Sequence, residues 1–209
     1  MNRPFLAACG LVFALSIPIA QAQSRADTSA ARAEAVKLAH GKCFLCHGEG
    51  GKSISPLFPR LAGQQSAYVV TQLKAFKNQT RSDPDAVAYM YGMASLLNER
   101  MMKALGDYFQ SLEPVKAKKE PAAEVSKGKD IFNNGIASQS VPACKSCHGA
   151  KATGSGQFPR LAGQHVAYLI KQLHAFKNGV RASPVMNSVA SSLTDAQMQA
   201  VADYARSLP

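Results

Sequence analysis

Two short stretches of this 209-residue chain carry residue types and spacings that can do chemistry. Cys43-Phe44-Leu45-Cys46-His47 and Cys144-Lys145-Ser146-Cys147-His148 share one pattern, two thiols three positions apart with an imidazole directly after the second. One helical turn of backbone lets each thiol add to one of a porphyrin's two vinyl groups. The next residue then offers its imidazole to the iron from the same side. This is the C-x-x-C-H signature of c-type haem attachment. Read so, Cys43 and Cys46 tether one haem c and Cys144 and Cys147 a second, with His47 and His148 as axial iron ligands. Two other chemistries use such cysteines. A thioredoxin-like redox pair would need a βαβ pattern, which surrounds neither copy. A four-cysteine zinc site spanning both motifs would leave each following histidine without a role.

A sixth ligand closes the iron to substrate and leaves an electron carrier, whereas an open position permits peroxide or oxygen chemistry. Methionine is the usual closing ligand in small domains of this type, and two methionine pairs align between the halves of the chain. Met102 and Met198 fall on the apolar face of a C-terminal helix, where methionine fills core gaps. Met90 and Met186 follow Pro84 and Pro184 in what reads as a loop, and a loop can carry sulfur across a haem face. We assign Met90 and Met186. Met93 faces Val189 in the second copy, which weakens its claim. A ligand histidine also needs an acceptor for its other ring nitrogen. The backbone carbonyls of Pro59 and Pro159, 12 and 11 residues after the histidines, are the candidates. His40, His165 and His174 have no histidine in the other copy and read as ordinary surface or satisfied residues.

The elements that position these groups come as an internal repeat. Phe58-Pro59-Arg60-Leu61-Ala62-Gly63-Gln64 recurs as Phe158-Pro159-Arg160-Leu161-Ala162-Gly163-Gln164, and 15 of 21 positions up to Asn78 and Asn178 are identical. After Arg81 and Arg181 the offset drops, because the second copy has a shorter segment before Met186. A period of about one small domain is too long for a solenoid unit and means two tandem domains. Each half reads as helices joined by loops. A Gly- and Pro-free stretch predicts a helix over Thr28 to His40. Val69, Leu73 and Phe76, echoed by Leu169, Leu173 and Phe176, predict a middle helix. Met101, Leu105, Tyr108 and Leu112 mark a last helix capped by Asn98. Met198, Val201, Ala205 and Leu208 mark its counterpart, with Thr194 and Gln197 as a capping box. No alternating strand is evident, so the expected fold class is all-α, twice.

The chain opens with Arg3, an apolar run from Phe5 to Ala20 and the small-x-small triplet Ala20-Gln21-Ala22, the layout of a cleavable export signal. The expected organisation is a signal over 1–22, a first domain over 23–112, a linker over 113–124 and a second domain over 125–209. Cys9 would leave with the signal, so the mature chain keeps four cysteines, an even number, in an oxidising compartment. The linker holds Pro114, Pro121 and Lys116, Lys118 and Lys119, whose charges read as a solvated face. Beyond the N-terminus no apolar run approaches the roughly 18 residues of a membrane span. The composition, 46% apolar and net charge +11, excludes a disordered acidic protein. Its basic balance suits acidic partner surfaces or loose attachment to anionic lipid, although four haem propionates would offset part of it.

Taken together these motifs resemble the di-haem cytochrome c4 family. They are two C-x-x-C-H-G segments, the two F-P-R-L-A-G-Q stretches, the Tyr-x3-Gln-Leu helices (Tyr68 to Leu73, Tyr168 to Leu173) and a methionine in each half. The resemblance runs from about Ala30 to Leu208. It includes Gly128 to Gly135 and the extra residues Ile136 to Ala143 that the first copy lacks. One departure is Leu96-Leu97-Asn98-Glu99, where the family more often has Leu-Ser-Asp, a change at a helix cap. The resemblance implies two class I cytochrome c domains related by approximate two-fold symmetry. It implies His47 with Met90 on one iron, and His148 with Met186 on the other. It implies periplasmic electron transfer with redox-protein partners, from a quinol-cytochrome c reductase to a terminal oxidase, and no nucleic acid. The competing readings are the cytochrome subunit of a dehydrogenase, such as a flavocytochrome c sulfide dehydrogenase, and a di-haem peroxidase, against which a closing methionine in both copies argues.

Overall fold

The computed structural model describes residues 19–116 and 122–209; the side chains of 19–26 and 122–124 are outside the description. The first 18 residues of the expected export signal, and Ala117 to Pro121 with Lys118 and Lys119 of the expected linker, therefore lie outside the described residues.

In the first half, α1 (Ile19–Leu38) runs into a wide π-type turn (Ala39–Cys43) and directly into α2 (Phe44–His47). The helix expected to end at His40 thus continues into the first cysteine motif. α3 (Ser66–Lys77) packs on α5 (Glu99–Ser111), which α1 also contacts. Between them lie a second π-type turn (Ala86–Met90) and α4 (Tyr91–Ser95). Val69, Leu73, Phe76, Met101 and Leu105, picked by helical spacing, are buried together with Ala35, Met102 and Phe109, whereas Tyr108 and Leu112 are only partly buried. The side chain of Asn98 accepts from the Met101 amide at 2.8 Å and caps α5.

The second half repeats the plan with α6 (Ala122–Asn134), α7 (Lys145–His148), α8 (Val166–Lys177), α9 (Pro184–Ser191) and α10 (Asp195–Ser207). α6 begins at Ala122, inside the segment read as linker. α6 and α10 cross so closely that a Cβ on Gly128 would lie 1.9 Å from the Ala200 carbonyl oxygen. Glycine here serves close backbone approach rather than a turn. Thr194 and Gln197 form the expected capping box on α10. The extra segment Ile136 to Ala143 is a tight loop closed by paired bonds between Ile136 and Val141, 2.8 and 3.1 Å. It places Val141 in the core beside Phe176, Met186 and Met198. Among the described residues there is no strand, only isolated bridges. None of their helices is long and apolar enough to cross a membrane.

The repeated Arg and Gln of the F-P-R-L-A-G-Q segments hold the halves together. The Arg60 amide donates to Gln164 Oε1 at 2.9 Å and the Arg160 amide to Gln64 Oε1 at 2.7 Å. Each glutamine returns a bond to the opposite arginine's carbonyl, both 3.0 Å. This reciprocity is what a two-fold axis between tandem copies produces. Pro114 and Val115 run over the same place, against Gly63 and Gly163.

Candidate functional site: two cysteine-histidine clefts facing one cavity

Each C-x-x-C-H motif ends in a one-turn helix that buries its histidine. His47 and His148 are both 8% exposed. His47 Nδ1 lies 2.9 Å from the Pro59 carbonyl oxygen, and His148 Nδ1 lies 3.0 Å from that of Pro159. A carbonyl only accepts, so Nδ1 carries the proton and Nε2 keeps its lone pair. Burial pushes both imidazoles below the ordinary histidine range, opposed in part by the carbonyl bond. Neutral imidazoles of fixed tautomer are what iron ligation requires. Phe58 and Phe158 stand edge-on to the two rings, at centroid distances of 6.2 and 6.4 Å.

Both motifs open on one cavity of about 1460 Å³ shared by the two halves. Its lining includes Cys43, Cys46, His47 and Met90 of the first half and Cys144, Cys147, His148 and Met186 of the second. Met93 lines it too, whereas Met102 and Met198 are buried core residues at 1% and 0% exposure. The methionine-bearing segments are not the open loops expected. Met90 ends a π-type turn, and Met186 sits in the first turn of α9. There Ser183 caps the helix and Pro184 occupies its start, a helix-initiating pair rather than a loop former.

The four cysteines are unpaired with one another. Burial pushes the Cys43 thiol up and that of Cys144 up to about 11. Among the described residues no cluster of three or more His, Cys, Asp or Glu is placed to hold a metal ion. The residues present do fit two haems. Beyond thiols, imidazoles and thioethers in suitable places, the cavity has donors awaiting an anion. Arg160 Nε and Gln172 Nε2 are buried without a protein partner, and both side chains line the cavity. Carboxylates such as haem propionates satisfy groups of this kind.

Sequence reasoning missed the polar network between the clefts. Arg81 and Arg181 meet in an antiparallel bridge and are 5% and 6% exposed. Gln72 and Gln172 each accept from both guanidiniums, at 2.6 to 2.9 Å. Tyr68 accepts from Arg181 at 2.7 Å. Identity of Tyr68, Gln72 and Arg81 with Tyr168, Gln172 and Arg181 was the available signal. Of the unmatched histidines, His165 is buried at the domain contact with Nε2 2.9 Å from the Ser53 carbonyl. His40 bonds the Tyr108 hydroxyl at 2.9 Å, and His174 lies 3.9 Å from Asp195.

Comparison with known proteins agrees with this architecture. The Cytochrome c family model matches twice, over residues 32–113 and 125–209. Cytochrome c-552 of Acidithiobacillus ferridurans is 41% identical over 188 residues, covering 89% of this chain and 82% of the relative. A thiosulfate dehydrogenase electron acceptor of Thiomonas intermedia is 37% identical over 175 residues, covering 80% of this chain and 78% of the relative. The solved cytochrome c4 of Acidithiobacillus ferrooxidans superposes with a TM-score of 0.75 at 43% identity, covering 79% of this chain and 98% of that one. With two family domains in tandem and a C-x-x-C-H motif in each, the chain belongs to the cytochrome c family, as a di-haem member of the cytochrome c4 kind that binds two covalent haem c groups.

Proposed function

We propose that this di-haem electron carrier works in the periplasm with both irons closed, by His47 and Met90 in the first domain and by His148 and Met186 in the second. When bound, each haem supplies one reversible electron at its iron. The chain's own residues do the rest. The carbonyls of Pro59 and Pro159 hold the proton on Nδ1 of each histidine and so aim Nε2 at the cavity. Met90 and Met186, which line the same cavity, would offer their sulfurs as the second ligands and so keep water or peroxide off the irons. The F-P-R-L-A-G-Q segments lock the halves across one cavity, which favours transfer between the two sites over rearrangement during it. The observation that carries the reading is the twofold occurrence of a buried, tautomer-fixed histidine and a cavity-lining methionine around one shared space. Domain limits of 23–112 and 125–209, after cleavage at Ala22, complete the proposed organisation.

The ligand assignment is tested by Met90→Ala and Met186→Ala in the haem-loaded protein. Each should abolish the sulfur-to-iron absorption of one haem, and retention of both bands in the double variant would falsify the assignment. As to partners, transfer from a quinol-oxidising complex to a terminal oxidase fits a basic carrier. The likeness to a thiosulfate dehydrogenase electron acceptor supports a second reading, acceptance of electrons from a sulfur-compound dehydrogenase. A flavocytochrome c sulfide dehydrogenase is one such complex. Co-purification with a flavoprotein or thiosulfate-oxidising enzyme would favour the second reading. Reduction by a quinol-linked reductase alone would favour the first.

A further inference from the structure

The four arginines that line the shared cavity are matched between the copies, whereas the buried carboxylate Asp83 has no counterpart, and this has a consequence for where the electron resides. Arg60 matches Arg160, and Arg81 matches Arg181, all four lining the shared cavity. The sequence then reads Arg81-Ser82-Asp83-Pro84 in one copy and Arg181-Ala182-Ser183-Pro184 in the other. Arg81 Nε donates to Asp83 Oδ1 at 2.6 Å in an ion pair whose side chains are 6% and 4% exposed. Arg181 bonds Gln172, Gln72 and Tyr68, all neutral. At the place of Asp83 stands Ser183, whose hydroxyl caps α9 by accepting from the Met186 amide at 3.3 Å. The other cavity-lining carboxylates do not upset this asymmetry. Glu34 is solvent-exposed, as are the unmatched cations Lys37 and Lys42 on the same side, and Asp85 is paired with Lys171.

Each of these residues belongs to one methionine segment. Asp83 accepts the Ala86 amide at its carbonyl, opening the turn that ends in Met90. Arg81 lies 4.8 Å over the Phe76 ring, in the core that holds Met90. Arg181 lies 4.4 Å over Phe176, in the core that holds Met186. The N-terminal cleft thus has a buried cation neutralised by a carboxylate, and the C-terminal cleft has the same cation without one. Reduction adds an electron at iron. A fixed negative charge nearby disfavours that addition and a fixed positive charge favours it, most strongly where water is excluded.

We propose that Asp83 is a potential-setting residue. It cancels at Arg81 the charge that Arg181 retains, holds the N-terminal haem below the C-terminal one, and so makes an electron entering the pair settle in the C-terminal domain. The proposal rests on the di-haem reading above, and the wild-type spectrum, taken first, decides that reading separately through haem count and sulfur-to-iron bands. The test exchanges the two residues in the haem-loaded protein: Asp83→Asn, Asp83→Ser, Ser183→Asp and the double exchange. Aspartate caps helices as well as serine does, so Ser183→Asp preserves α9 and tests the idea even if Asp83 variants fold poorly. The readout is the share of each haem reduced at half-reduction, with the haems told apart by their paramagnetically shifted methyl resonances. Asp83→Asn should raise the ratio of reduced N-terminal to reduced C-terminal haem about tenfold, a relative shift of about 59 mV for a one-electron couple. Ser183→Asp should move the ratio the same way by lowering the C-terminal haem, and the double exchange should reverse the wild-type order. Equal shifts of both haems, or an unchanged ratio in Ser183→Asp, would overturn the proposal.

Discussion

The two halves share their site frame almost atom for atom but build the methionine-bearing segment by different means. In each, a proline carbonyl holds the histidine within 3.0 Å, and a phenylalanine stands edge-on to its ring. Between the arginine and the methionine they diverge. The N-terminal half uses a longer stretch with a π-type turn, tied down when the Tyr91 hydroxyl donates to the Arg81 carbonyl at 2.9 Å. The C-terminal half goes directly into a capped helix, α9. Its Asn187 bonds the Ser183 amide at 2.6 Å, the Phe176 carbonyl at 2.5 Å and the Arg181 carbonyl at 2.9 Å. The side that carries cysteines and histidine is fixed by covalent spacing and by the domain contact. The methionine-bearing side lacks the covalent spacing and meets the other half only at points such as Arg81–Arg181 and Asp85–Lys171, so there the copies differ in length, capping and charge.

The comparison can be broken first at the helix crossing behind the second site. Gly128→Val should cost about 3 kcal/mol, because the side chain must push α10 away from α6. In chemical denaturation the C-terminal domain should then unfold early while the N-terminal transition stays in place. A single shifted transition would mean that the domains unfold as one unit. The domain contact comes next. Gln64→Ala and Gln164→Ala should each lose about 2 kcal/mol, since each strands an amide and a carbonyl of the opposite arginine. Their equality is the signature of the two-fold relation, and unequal costs would argue against it.

The methionine segments themselves sharpen the contrast. Asn187→Ala should cost about 2 kcal/mol and Tyr91→Phe about 1 kcal/mol, because three bonds are lost against a hydroxyl's two. Each should weaken the sulfur-to-iron band of its own domain alone. The smallest effect belongs to the caps. Thr194→Ala and Asn98→Ala should each cost about 1 kcal/mol, with Thr194→Ala the larger because it also breaks a capping box. Thermal melts would rank them.

Much of this was legible along the chain because it is local. The cysteine-histidine spacing, the buried faces of α3, α5, α8 and α10, and both caps rest on contacts within a few residues. Even the His47–Pro59 and His148–Pro159 contacts follow from a short loop returning on its own motif. What escaped is what the pairing of distant segments creates. Gln64 and Gln164 read as repeat markers until the fold places each opposite the other copy's arginine. Arg81 and Arg181 read as the end of an alignment until both are buried against one another. His165, which reads as a surface or satisfied residue, proves to be a buried one whose Nε2 bonds the Ser53 carbonyl of the other half. The loops expected at Met90 and Met186 were a different failure. Ser183-Pro184 is a helix start, and reading its proline only as a turn former concealed that.

The central claim is that this polypeptide carries two haem c groups, each closed by histidine on one face and methionine on the other. It is tested most directly by redox titration of the purified haem-loaded protein with visible spectra at every step. The account predicts two haems per chain, two one-electron transitions and a sulfur-to-iron band in both oxidised sites. One haem per chain, or an oxidised site that lacks the band and takes up added cyanide or peroxide at once, would contradict it.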